Sequence, residues 1–205
     1  MANRFISMPV KAGDPASAPR VLMLGNSLTT SNRLPALLDG FIGGEVVVHA
    51  RGGARLSEHL NPKTKLGAMT QAAFAEGRWT HVVLQERSDG PVRFREAYLR
   101  SVAALCSRVR EIGAVPVVYA TWAYAPGCPK LQGLGHDCEG MHAALQSAFT
   151  EAAESYGAIL ANVGEAFFES NGAEALYGSD GVHPSEAGTM LAAEVLANSI
   201  AGMRR

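Results

Sequence analysis

A chain of 205 residues, 47% hydrophobic and 18% charged, has the make-up of one globular domain with a sizeable core. Its formal charge of −1 supplies no basic face for nucleic acid or an anionic membrane. No apolar run reaches the ~20 residues that cross a bilayer. The first residues lack the apolar stretch of a signal peptide, so the expected location is cytoplasmic.

Residues 1–19 carry Pro9, Gly13, Pro15 and Pro19 among small polar neighbours and read as a leader. A single domain is expected over 20–205. Five strand candidates follow: Val21–Leu24, Val46–His49, His81–Gln85, Val115–Ala120 and Ile159–Asn162. Most are short runs of valine, leucine and isoleucine, the pattern of strands covered on both faces. Between them, Phe94 to Ile112 repeats apolar residues at helical spacing and Gly113 ends the run. Arg33–Phe41 reads as a helix opened by Ser31 or Asn32, with Pro35 in its first turn. Glu139–Tyr156 and Ser185–Ala201 read as two more, rich in alanine.

Alternation of strand and helix predicts an α/β fold: a three-layer α/β/α sandwich on a five-stranded parallel sheet. Ligands in such sheets bind outside the carboxyl ends of the strands. That rule selects the loops Gly25–Thr30, Arg51–Glu58, Glu86–Arg95 and Thr121–Cys138, and the segment before the last helix.

Two of those loops carry the chemistry. Val21-Leu22-Met23-Leu24-Gly25-Asn26-Ser27-Leu28 is a buried strand that stops at a glycine and presents a serine. Asp180-Gly181-Val182-His183-Pro184 offers a base with a carboxylate close enough to orient it, and Pro184 disfavours helical geometry at His183. Read singly, Ser27 is a cap or turn residue and Asp180 to His183 a polar turn. Read together they supply nucleophile, acid and base, the parts of a serine-hydrolase site.

Gly25-Asn26-Ser27-Leu28 resembles the Gly-Asp-Ser-Leu block of the SGNH (GDSL) hydrolases, and Asp180-x-x-His183 resembles that family's closing block. The resemblance runs from about Val21 to the last helix. It implies a flavodoxin-like sandwich and ester hydrolysis through an acyl-serine, with Ser27, Asp180 and His183 catalytic and no metal or organic cofactor. It also implies an oxyanion hole from the Ser27 amide, a glycine matched by Gly53, and an asparagine after the third strand. That asparagine is missing. Gln85 is the side-chain amide in its place, with one more methylene of reach, and some carbohydrate-acetylesterase relatives carry a glutamine there. The crevice between short loops suggests a small, short-acyl ester as substrate, and the resemblance at Gln85 points to O-acetylated carbohydrate as one form of it.

Around the expected mouth, Trp122 and Tyr124 follow the fourth strand and are candidates to line a substrate pocket. Arg51, Arg55, Arg87, Arg93 and Arg95 lie in the same loops; Arg55 is the candidate contact for an anionic group. His59 is an outside candidate. Three cysteines make no disulfide framework. Cys128 and Cys138 read as loop thiols, with a disulfide, or a metal site shared with His136 and His142, left open. Two rivals use the same residues differently: an acyltransferase or thioesterase with the triad intact, and a non-catalytic glycan- or metabolite-binding domain. A nucleotide binder would leave Asp180 and His183 without a role.

Overall fold

The computed structural model describes residues 18–170 and 173–202. Most of the expected leader, residues 1–17, lies outside the described residues.

The sheet is built from β1 (Arg20–Gly25), β2 (Glu45–Ala50), β3 (His81–Leu84), β4 (Val115–Ala120) and β5 (Ile159–Asn162), all parallel, in the order β2-β1-β3-β4-β5. Period-two alternation sends Leu22 and Leu24 to one face of β1 and Val21 and Met23 to the other. All four are buried, because helices cover both faces. On the first face pack α3 (Leu56–Leu60), α4 (Lys65–Glu76), α6 (Arg95–Glu111) and α7 (Cys138–Tyr156). On the second pack α2 (Leu34–Ile42), α8 (Val163–Phe168) and α9 (Glu186–Ile200). Two one-turn helices, α1 (Ser27–Thr30) and α5 (Gly90–Arg93), sit in the loops after β1 and β3. No helix among the described residues is long and apolar enough to cross a membrane.

The five strands agree with the sequence expectation to within a residue at each end. The helices α3, α4 and α8 were not anticipated, since polar and glycine residues blur their apolar period. One helix start differs in kind. Neither Ser31 nor Asn32 caps α2. Asn32 (φ 45°) and Arg33 (φ 61°) are both left-handed, and Arg33 occupies the cap position without a side-chain bond. Consecutive left-handed residues other than glycine are uncommon.

Candidate active site

Gly25 ends β1 because no side chain fits there: a Cβ would collide with Thr29 Oγ1 and Gln85 Oε1. The chain then turns through Asn26 into α1. Asn26 Oδ1 accepts from Leu28 N at 3.2 Å as the helix cap, and Asn26 Nδ2 donates to Ala54 O at 3.0 Å. One buried side chain thus shapes the serine turn and ties it to the loop after β2. Ser27, the first residue of α1, keeps a backbone N–H with no intrahelical acceptor.

At the other end of the chain, Asp180 Oδ1 accepts from Val182 N at 3.0 Å and His183 N at 2.9 Å, closing a tight turn. Asp180 Oδ2 lies 2.6 Å from His183 Nδ1, and His183 Nε2 lies 2.9 Å from Ser27 Oγ. Partial burial pushes the Asp180 carboxyl up, but the bonds from the His183 ring and the two amides outweigh it. The carboxyl is held down at about 2. Asp180 is therefore an anion at any working pH, and its charge keeps a proton on Nδ1. Nε2 is left as the acceptor for the Ser27 hydroxyl.

The arrangement is a charged acid, an imidazole and a hydroxyl in hydrogen-bonded series, set at the carboxyl edge of a five-stranded parallel sheet. No family model matches the chain, and no curated protein matches it. Solved structures do. A protein from Slackia heliotrinireducens described as an SGNH hydrolase shares 52% identity over 89% of this chain and 99% of its own, with a TM-score of 0.86. The chain belongs to the SGNH hydrolase family. A DUF4886 protein from Bacteroides uniformis (21% identity, 90% of this chain and 83% of that one, TM-score 0.67) is similar in fold. So is the psychrotrophic esterase EstA of a Pseudoalteromonas species (16%, 89% and 96%, TM-score 0.62).

The other expected residues of this SGNH hydrolase differ in whether they reach the site. Gly53, with φ +68°, stands in the open turn after β2 with nothing within 4 Å of a Cβ built there, so its backbone is accessible. Gln85 is buried and faces the Ser27 turn from below. Its Oε1 accepts from Asn26 N and Thr29 Oγ1, both at 2.9 Å, and its Nε2 faces the Glu86 carbonyl. The sequence suggested an oxyanion donor; the recorded bonds of this amide all go to the scaffold instead. The following residue, Glu86, adds a second brace. Its carboxylate accepts from Leu56 N at 3.2 Å and Arg87 N at 2.8 Å, joining the loops after β2 and β3. Burial pushes its pKa up.

Trp122 and Tyr124 do not line a crevice. Trp122 is 2% exposed and stacked on Phe167 (ring centroids 4.1 Å apart), and it donates from Nε1 to Val182 O at 3.0 Å. Tyr124 is 6% exposed, with its hydroxyl 3.2 Å from Ser88 Oγ. Both turn inward because the chain after β4 stays in the core until Ala125, where Ala125 N donates to Gly181 O. Trp122 is thus a support of the Asp180–His183 turn from beneath.

Of the mouth arginines, Arg51 pairs with Glu58, Arg87 and Arg93 with Asp89, and Arg95 with Glu151. Arg55 is the exception. Its guanidinium lies 4.1 Å over the Phe94 ring, and no carboxylate within ion-pair distance is found among the described residues. His59 is fully buried, with Nδ1 3.0 Å from Thr70 Oγ1, which removes it as a substrate contact. All three cysteines are free thiols; Cys128 packs under the Asp180–His183 turn, its Sγ 3.6 Å from Asp180 O. Among the described residues no group of three or more His, Cys, Asp or Glu could hold a metal ion. His142 instead faces Glu165 at 3.3 Å.

Proposed function

We propose that this SGNH hydrolase is a serine esterase acting on small, short-acyl esters. The observation that carries the proposal is the continuous path Asp180 Oδ2–His183 Nδ1 (2.6 Å) and His183 Nε2–Ser27 Oγ (2.9 Å). Ser27 Oγ attacks the ester carbonyl as His183 Nε2 takes its proton, and Asp180 stabilises the imidazolium. The carbonyl oxygen becomes an oxyanion facing the Ser27 and Gly53 amides. Collapse breaks the carbon–oxygen bond to the alcohol, which leaves with the proton from Nε2. Water then gives a proton to Nε2 and its oxygen to the acyl-serine, and the acid is released as Ser27 recovers its hydrogen.

The short turns carrying Ser27 and Gly53 favour a compact acyl group, and Arg55, stacked on Phe94 in the loop after β2, is the candidate contact for an anionic or strongly polar alcohol part. Burial of Trp122 and Tyr124 leaves the carbohydrate reading resting on the Gln85 resemblance. The test is hydrolysis of p-nitrophenyl acetate, butyrate and octanoate by the wild type and Ser27→Ala. Activity that falls with chain length and disappears in the variant is the expected result. No Ser27-dependent turnover, together with no stoichiometric reaction with a serine-directed phosphonate, would leave a binding domain on the same fold.

A further inference from the structure

Ser27 and His183 come from opposite ends of the chain, and their 2.9 Å contact requires something to hold the two segments in register. Asn32 sits five residues beyond Ser27, in the 3₁₀ turn Ser31–Arg33 that follows α1. Both protons of its side-chain amide are spent on the segment that follows His183. Nδ2 donates to Pro184 O at 2.9 Å and to Thr189 Oγ1 at 2.8 Å. Thr189, fully buried, passes the link on by donating to Ser185 O at 2.8 Å. The carbonyls of the two residues after the catalytic histidine are therefore gripped by one side chain of the nucleophile segment and its relay.

The backbone at Asn32 is consistent with this task. Asn32 and Arg33 both occupy the left-handed region, a conformation that surrounding contacts must hold in place. Asparagine tolerates it better than other residues with a Cβ. The Arg33 side chain makes no recorded hydrogen bond or ion pair among the described residues, so the side-chain contacts of this kink are those of Asn32.

We infer that Asn32 is a positioning residue: it registers His183 against Ser27 by clamping Pro184, and touches no substrate itself. The inference rests on the esterase reading for its effect on turnover, but not for its effect on the histidine. Asn32→Gly removes the clamp while easing the left-handed backbone, and Asn32→Asp keeps the size but loses both donors. Arg33→Gly eases the neighbouring residue and serves as the control.

The decisive readout is the downfield proton resonance of the His183 Nδ1–H bonded to Asp180, recorded without substrate. It should shift or broaden in Asn32→Gly and Asn32→Asp and stay in place in Arg33→Gly. With p-nitrophenyl acetate, kcat should fall ~10–100-fold in both Asn32 variants while KM changes by less than about twofold. An unchanged resonance in both Asn32 variants, in protein that melts as the wild type does, overturns the assignment whatever the turnover. Absence of Ser27-dependent turnover in the wild type would strike the esterase proposal alone.

Discussion

At the residue scale, each member of the candidate triad has a separable role. The Asp180 carboxyl, held near 2, is already ionised wherever the enzyme works, so it contributes no titration to the working range. Its part is the tautomer and charge of His183. Asp180→Asn should therefore lower kcat about 10³–10⁴-fold near neutral pH, and kinetics across pH 5–9 should show no recovery at either end. Gln85 gives a contrasting case. Its Oε1 satisfies the buried Asn26 N–H, and an orphaned buried donor costs ~1–3 kcal/mol. Gln85→Ala should lose stability by that amount together with kcat, leaving KM nearly constant, as paired denaturant melts and kinetics would show. A loss of kcat with no loss of stability would return the residue to the oxyanion role.

At the element scale, the Asp180–His183 turn matters most. It is fastened from three sides: Trp122 Nε1 holds Val182 O, Ala125 N holds Gly181 O, and Gly178 N holds His183 O. The stack of Trp122 on Phe167 keeps that indole from rotating away. Trp122→Phe keeps an aromatic ring in the core but frees the Val182 carbonyl. It should cost about 1–2 kcal/mol of stability and slow turnover severalfold, checked by denaturation alongside p-nitrophenyl acetate kinetics. Neither Asn26 nor Trp122 was assigned this work from sequence. For Asn26 a signal existed, the preference of asparagine for helix N-caps. For Trp122 there was none, because its partner is 60 residues away.

At the scale of the whole molecule, a buried histidine contributes to the acid sensitivity of the fold. Burial, with the His49 ring nearby, pulls His59 down to about 4 from its ordinary 6.5. The folded value lies below the unfolded one, so the native state favours the neutral ring. The stability this gives is complete above about pH 6.5 and is lost progressively as pH falls from there toward about 4, at up to ~1.4 kcal/mol per pH unit, with no further loss from this group below that. Urea titrations at pH 7 and pH 4.5 should show a larger loss for the wild type than for His59→Gln. Equal losses would assign the acid sensitivity elsewhere.

The sequence alone carried the strands, the sandwich and the pair of blocks that hold Ser27, Asp180 and His183. Those features rest on local rules: apolar runs for buried strands, glycine where the backbone must turn, and a short spacing that lets Asp180 reach His183. Only the tertiary structure decided which neighbours serve the site. Trp122 and Tyr124 lie in a loop at the correct sheet edge, yet packing turned them inward. Gln85 was given to the Ser27 turn, and Asn32, one of two candidates for a helix cap, became the link to Pro184. Each of these depends on a contact between residues distant in the chain, and hydrogen-bond partners across such separations are set by how layers pack, which no local pattern encodes.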